Sequence, residues 1–259
     1  MTPWTTLVPG SPRIAVASAG RGPLVLFLHG IGGNRNHWQH QLAFFSQHGF
    51  RAAAWDARGY GDSDDYEGAL QFEDFTSDVH RTIDFLGEPR VHLVGLSMGG
   101  RIARNVALRF PERLLSVTLV STAPGFDALS PDQVRRFVTE QRNRTPETVR
   151  RLLGSRARKE AFDELSDSLA RVREESYRKT LIASVAQDRD APVEDIRVPT
   201  LIIAGDEDKV YPTRIARELA QRIPAARLVV MRGAGHLPNL ERPGRFNEIL
   251  LDFLQRRSK

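Results

Sequence analysis

One short turn in this 259-residue chain combines a serine with glycines at the spacing that an activated serine needs. The segment Gly95–Gly99 reads Gly-Leu-Ser-Met-Gly and continues the apolar run Val91–Leu96. A serine hydroxyl is a weak nucleophile, so it needs a neighbouring base and hydrogen-bond donors for the oxyanion that forms on the attacked carbonyl. A sharp strand-to-helix turn would lift Ser97 and aim the N–H of Met98 at that oxyanion. Ser97 is therefore the candidate nucleophile.

Two later loops carry the base and the acid that such a serine requires. His236 lies in one loop, and Asp206 and Asp208 lie in the other, and each loop directly follows an apolar run. Because the carboxyl ends of parallel strands meet at one edge of a sheet, we expect these side chains near Ser97. His236 would take the proton from Ser97, and one of the two aspartates would orient the imidazole.

A second glycine-rich turn follows the apolar run Leu24–Leu28. Residues 29–33 read His-Gly-Ile-Gly-Gly. Such a turn could bind phosphate, but the lysine of the Walker motif is missing. We therefore expect the N–H of Ile31 to be the second oxyanion donor, paired with that of Met98. His29 is expected to be a structural hydrogen-bonding group.

The composition argues against several other chemistries. The chain has no cysteine, which excludes disulfides, thiolate metal sites and cysteine nucleophiles. No His-Glu-x-x-His or His-x-His spacing occurs, so we expect no metal site, and no cofactor is implied. The net charge is +5, but residues 131–190 mix 14 basic with 11 acidic side chains. Mixed signs are typical of solvated helix faces, so we expect no nucleic-acid partner.

The elements that must position these residues alternate between strands and helices. Apolar runs predict strands over Leu24–His29, Ala52–Asp56, Val91–Leu96, Leu114–Val120, Thr200–Gly205 and Arg227–Met231. Three- and four-residue spacing predicts helices over Phe72–Leu86, Ile102–Leu108, Thr213–Arg222 and Phe246–Leu254. This alternation predicts an α/β fold with a mostly parallel sheet and helices on both faces.

Residues 125–190 interrupt that alternation with one helical pattern after another. Pro131 and Pro146 stand at expected helix starts. A helical insertion over the carboxyl ends of the strands is the simplest interpretation, because open α/β sheets bind ligands there. Its arginines, such as Arg135, Arg142 and Arg144, could bind a substrate carboxylate, although a solvated helix face is favoured for each.

Nothing in the sequence predicts membrane association. No run approaches the roughly 20 apolar residues that span a bilayer, and the first 30 residues lack the pattern of a signal peptide. We expect a soluble, cytoplasmic protein with no membrane partner.

Five motifs in order resemble the α/β-hydrolase superfamily over about Leu24 to Phe253. They are His29-Gly30, Asp56–Ser63, Gly95–Gly100, Gly205–Pro212 and Gly235-His236. The resemblance implies a core of residues 1–124 and 191–259, with residues 125–190 inserted as a helical cap. It also implies that the acid stands three residues after Gly205, which favours Asp208 over Asp206.

The resemblance also narrows the chemistry. Family members that open epoxides or remove halides use an aspartate where this chain has Ser97, which leaves acyl transfer to water. The turn at residues 29–34, Trp38 and the short helical insertion look most similar to 3-oxoadipate enol-lactonases and small carboxylesterases. A small-molecule ester or lactone is the implied substrate. Carbon–carbon bond hydrolases, perhydrolases and acyltransferases share the triad, and some members bind a ligand without turnover, so these alternatives stay open, as does the oligomeric state.

Overall fold

The computed structural model describes residues 3–143 and 145–256 and is built around one eight-stranded sheet. Its strands are β1 Trp4–Val8, β2 Ile14–Gly20, β3 Leu24–Leu28, β4 Arg51–Trp55, β5 Val91–Leu96, β6 Leu114–Val120, β7 Thr200–Gly205 and β8 Arg227–Met231. The strand order is β1-β2-β4-β3-β5-β6-β7-β8. Only the pairs β1–β2 and β2–β4 within this sheet are antiparallel.

Ten α-helices in the described residues pack around this sheet or follow one another between two of its strands. They are α1 Gln39–Gln47, α2 Phe72–Leu86, α3 Met98–Arg109, α4 Pro131–Asn143, α5 Pro146–Leu152, α6 Lys159–Ala170, α7 Glu174–Gln187, α8 Thr213–Arg222, α9 Pro238–Glu241 and α10 Pro243–Gln255. The α/β class and the mostly parallel sheet predicted from the sequence are confirmed.

The central strands are apolar along their whole length because both faces of the sheet are covered. In β3, Leu24, Leu26 and Leu28 belong to one apolar cluster, and Val25 and Phe27 belong to the other. Successive side chains of a strand point to opposite faces, so the two clusters are the two sides of the sheet. This double burial explains why continuous apolar runs, rather than alternating ones, marked these strands in the sequence.

Most of the predicted elements agree with the structure to within a few residues. The strands β5, β6, β7 and β8 and the helices α2 and α8 have the predicted bounds. The helix predicted from Ile102 begins earlier, at Met98, and the closing helix begins at Pro243 rather than Phe246. Strands β1 and β2 and helix α1 were not predicted from the sequence.

Four helices, α4 to α7, follow β6 in the chain and precede β7, which is the neighbour of β6 in the sheet. Pro131 and Pro146 are the first residues of α4 and α5, as predicted, since proline fits the first turn of a helix. Helix α7 contacts α2, where the N–H of Phe72 donates to Oε1 of Gln187 at 2.8 Å. No helix of the described chain is both long and apolar enough to cross a membrane.

Candidate active site

Ser97 occupies a strained turn between β5 and α3. Its φ of 54° and ψ of −113° fall outside the regions that non-glycine residues normally adopt. The turn is closed on both sides, because a Cβ at Gly95 would overlap the carbonyl oxygen of Gly99, and one at Gly99 would overlap that of Leu28. The N–H of Ser97 donates to the carbonyl of Val120 at 2.8 Å, which holds the turn against the end of β6. Such strain is characteristic of functional sites.

The glycine turn after β3 lies directly beside this serine. A Cβ placed on Gly30 would stand 3.2 Å from Cβ of Ser97 and 3.8 Å from its Oγ. Within residues 3–143 and 145–256, the N–H groups of Ile31 and Met98 have no hydrogen-bond acceptor. The geometry therefore leaves both of the predicted donors available beside Ser97.

His29 fixes the shape of that turn. Its Nδ1 donates to the carbonyl of Gly30 at 2.8 Å, while its Nε2 accepts from the N–H of Ala57 at 3.0 Å. This pair of bonds requires a neutral imidazole with its proton on Nδ1. Burial lowers the pKa of His29, which maintains the neutral form. The structural role expected for His29 agrees with these contacts.

Of the three acidic residues in the loop after β7, only Asp208 contacts His236. Nδ1 of His236 donates to Oδ2 of Asp208 at 2.9 Å, which leaves Nε2 to accept a proton. Asp206 instead accepts from the N–H of Gly233 at 2.6 Å, and Glu207 is engaged elsewhere. Of the two candidate acids, the structure thus brings Asp208, and not Asp206, to His236.

Asp208 is itself held in place by the backbone that follows it. Its Oδ1 accepts from the N–H groups of Val210 and Tyr211 at 2.8 and 3.0 Å. The Asp208 side chain is buried, and the ring of Tyr211 lies 5.8 Å from that of His236. These contacts fix the carboxylate in the orientation that the imidazole needs.

Glu241, which was not predicted from the sequence, binds backbone N–H groups of the loop that carries His236. The carboxylate is 1% exposed and accepts from the N–H groups of Gly235, Leu237 and Gly154 at 2.7 to 3.0 Å. Burial raises the pKa of Glu241, while the three backbone donors act to lower it. The only signal in the sequence was an acidic residue at the end of the otherwise uncharged segment 234–240.

The helical segment between β6 and β7 contacts both halves of the site. The N–H of His236 donates to the carbonyl of Leu152 at 2.7 Å, at the end of α5. On the other side, Oγ of Ser168 in α6 donates to the carbonyl of Gly32 at 3.0 Å. The segment therefore contacts the loop of the candidate base and the glycine turn together.

A buried ionic cluster lies behind Ser97. Arg101, one helical turn after the serine, forms an ion pair with Asp188, and Nη2 of Arg104 contacts the same carboxylate at 2.6 Å. All three side chains are at most 3% exposed. Two guanidinium groups on one carboxylate leave a net positive charge, which favours a negative charge forming nearby.

The remaining candidates from the sequence do not join this site. Arg135 pairs with Asp132 on the surface of α4, as expected for a solvated helix face. Arg144 and the side chain of Arg142 lie outside what the structure describes. Within the described ranges, no three His, Asp or Glu side chains are grouped to hold a metal ion.

Comparison with known proteins decides the family. A model of the alpha/beta hydrolase family matches residues 25–249 of the chain. The chain belongs to the alpha/beta hydrolase family. It is 28% identical to 3-oxoadipate enol-lactonase 2 of Acinetobacter baylyi, over 90% of this chain and 89% of that protein.

Two further relatives show how broad this group is. A 2-hydroxy-6-oxononadienedioate/2-hydroxy-6-oxononatrienedioate hydrolase of Paraburkholderia phymatum is 30% identical, over 91% of this chain and 88% of that protein. The solved esterase of Exiguobacterium antarcticum superposes with a TM-score of 0.89 at 25% identity, over 97% and 100% of the two chains. The predicted resemblance to enol-lactonases and small esterases is confirmed.

Proposed function

We propose that the protein is a serine hydrolase that cleaves a carboxylic ester or lactone through an acyl-enzyme. The proposal depends on one observation above all. The strained Ser97 lies beside two N–H groups that donate to no described residue, at the sheet edge where Asp208 holds His236. A nucleophile, a base, an acid and oxyanion donors are the groups that acyl transfer requires. The enol-lactonase and esterase relatives support the choice of substrate class.

In the proposed reaction, His236 removes the proton from Ser97 as Oγ attacks the carbonyl carbon. The N–H groups of Ile31 and Met98 stabilise the oxyanion, and Asp208 stabilises the imidazolium. His236 then protonates the leaving alkoxide as the ester bond breaks. A water molecule, activated by the same imidazole, attacks the acyl-enzyme, so the products are a carboxylic acid and free Ser97.

We propose, further, that residues 125–190 form a cap on a core of residues 1–124 and 191–259. The support for this division is topological, because α4 to α7 all lie between two adjacent strands of the sheet. Their contacts with the His236 loop and with the Gly32 turn support a position over the proposed site. Substrate choice would then depend on the cap, since the core can serve many substrates.

Labelling with a fluorophosphonate tests the proposal without knowledge of the substrate. The probe forms a covalent adduct only with an activated serine hydroxyl, and peptide mass mapping locates the adduct. We expect stoichiometric labelling of Ser97 and none of the folded Ser97→Ala variant. An adduct on another serine, or no adduct in folded protein, would contradict the proposed nucleophile and favour a protein that binds its ligand without turnover.

Product analysis then separates hydrolysis from the reactions that share this triad. Incubation of a labelled ester with competing alcohols and with peroxide should yield the free acid as the main product. Predominant transfer to the alcohol or peroxide would instead identify an acyltransferase or a perhydrolase. A carbon–carbon bond hydrolase would instead be identified by cleavage of a carbon–carbon bond beside a carbonyl group of a ketone substrate.

A further inference from the structure

A cavity of about 390 Å³ is lined in part by Asp208, the partner of His236. Its walls come from the start of α4, the end of α5 and the loop after β7. Asp208 itself and Leu152, whose carbonyl accepts the N–H of His236, form part of the lining. The cavity therefore adjoins the proposed acid, Asp208, and the residue whose carbonyl holds the N–H of His236.

The charged groups around this cavity are mostly positive. Arg136, Arg151 and Lys209 line it, and the single carboxylate in the lining is that of Asp208. Both oxygens of Asp208 are already used, Oδ2 by His236 and Oδ1 by two backbone N–H groups. The carboxylate of Asp208 is therefore engaged within the proposed triad, and among the described residues it forms no salt bridge with Arg136 or Lys209.

Two of these cations have no salt bridge within the described parts of the chain. Arg136 has neither an ion pair nor a side-chain hydrogen bond with any described residue, whereas its neighbour Arg135 is paired with Asp132. Hydrogen bonds from Ser155 and, to a smaller extent, the charge of Lys209 lower the pKa of Glu207. Both oxygens of Glu207 accept from the N–H and Oγ of Ser155 at 2.6 Å, so Glu207 is paired with Ser155 and not with Lys209.

We propose that this cavity binds an anionic arm of the substrate, a carboxylate held by Arg136 and Lys209. The inference deepens the proposed hydrolase function and rests on it. A guanidinium and an ammonium group facing one cavity match a carboxylate, with which each forms a charge-assisted hydrogen bond. Positive charge around the cavity also attracts an anionic substrate.

The topology places this carboxylate at a distance from the reacting carbonyl. Ser97 follows β5, whereas Asp208 and Lys209 follow β7, two strands along the sheet. Neighbouring strands are about 4.8 Å apart, so the two positions are separated by roughly 10 Å. The preferred substrates are therefore those whose carboxylate is several carbons away from the scissile bond.

Matched pairs of esters test the inference on the purified full-length protein. The anionic members are the monomethyl esters of the six- and eight-carbon dicarboxylic acids, and the neutral members are methyl hexanoate and methyl octanoate. A second pair carries the carboxylate on the alcohol side. We expect kcat/KM to favour the anionic member of at least one pair, and the preference to shrink as salt rises from 20 to 500 mM. Equal kcat/KM within every pair would overturn the proposal.

Two variants identify the groups that bind the carboxylate. Arg136→Gln and Lys209→Gln should each lower the anionic-to-neutral ratio about two- to fivefold, the size expected of an exposed ion pair, while kcat/KM for the neutral ester is unchanged. Arg135→Gln removes the same charge from the next residue and should leave the ratio unchanged.

The failure of this inference is distinguishable from the failure of the proposed function. If no ester is hydrolysed and the fluorophosphonate does not label Ser97, the hydrolase function itself is wrong. If neutral esters are hydrolysed and neither Arg136→Gln nor Lys209→Gln lowers the ratio more than Arg135→Gln does, only the anionic arm is wrong.

Discussion

Asp206 and Asp208 are separated by one residue, and their contacts differ completely. Asp208 accepts from Nδ1 of His236, whereas Asp206 caps the backbone at Gly233. From the sequence alone both were possible acids, because spacing cannot show which of two neighbouring carboxylates faces the imidazole. A comparison of the two asparagine variants is therefore the sharpest test of the proposed triad.

We expect Asp208→Asn to lower kcat by about 10⁴, because an amide at this position holds the imidazole in the wrong tautomer. Asp206→Asn keeps an acceptor oxygen for Gly233 and should change kcat by less than about threefold. His236→Ala should abolish turnover, with circular dichroism confirming the fold. A larger loss in Asp206→Asn than in Asp208→Asn would exchange the roles of the two residues.

Asp188 lies outside the proposed triad and is the buried counter-charge of two arginines. It is buried against Arg101 and Arg104, and Asp188→Asn would leave both guanidinium groups without a counter-charge. Removing one member of a buried ionic cluster typically costs about 3–5 kcal/mol. We therefore expect a loss of that size in the free energy of unfolding, measured in urea.

Asp190→Asn is the matched control, because Asp190 forms an ion pair with Arg222 that is partly exposed to solvent. Surface pairs contribute about 0–1 kcal/mol, so this variant should be nearly as stable as the parent chain. Equal losses in the two variants would show that burial of the Arg101–Asp188 cluster adds nothing to stability.

The short helix α9 supports the candidate site through its last residue, Glu241. Glu241 accepts backbone N–H groups from the His236 loop and from Gly154 after α5. In Glu241→Gln, the amide NH₂ replaces one acceptor and leaves a buried N–H unpaired, at a cost of about 1–3 kcal/mol. We expect that loss in urea unfolding and a fall in kcat with little change in KM, because His236 is displaced.

Glu248→Gln provides the control for that experiment, since Glu248 forms an exposed pair with Arg245 on α10. Its stability and kcat should match those of the parent chain. If Glu241→Gln loses stability but keeps its kcat, the carboxylate supports the fold and does not position His236.

Whether a strand or helix could be predicted from the sequence depended on which residues it buries and on how many faces. Strands such as β3 and β7 are covered on both faces, and their continuous apolar runs were recognised at once. Strand β2 is equally buried, but its sequence Ile-Ala-Val-Ala-Ser-Ala-Gly is rich in small residues with low strand propensity, so it was missed. Helix α1 was missed because its apolar face is interrupted by Gln41, a buried side chain that donates to Asn247.

The residues of the candidate site also differ in how well the sequence predicts them. Glycine spacing and strand ends leave a local pattern in the sequence, which predicted site roles for Ser97, Asp208, His236, Ile31 and Met98. The role of Glu241 and the position of Arg136 at the cavity depend on how the helical segment packs onto the sheet. Periodicity shows that a helix is amphipathic but does not fix which residues of the core it contacts.

At the scale of the whole molecule, three buried histidines link folding to pH. Burial lowers the pKa of His37 to about 3 and that of His92 to about 4, and it also lowers the pKa of His29. In the unfolded chain each imidazole takes up a proton near pH 6.5. The unfolded state therefore binds more protons below that pH, and the folded state loses stability as the pH falls.

Each histidine adds a slope of up to about 1.4 kcal/mol per pH unit, while the raised pKa values of Glu241 and Glu73 act in the opposite direction. We expect the free energy of unfolding, measured in urea, to fall between pH 6 and pH 5, because the pKa values of about 3 for His37 and about 4 for His92 lie well below that range. His92→Gln should flatten this dependence, because it removes one of the three imidazoles. His48→Gln, which changes an exposed histidine, should leave it unchanged. A stability that is constant or rises from pH 6 to pH 5 would mean that these imidazoles are already protonated in the folded protein.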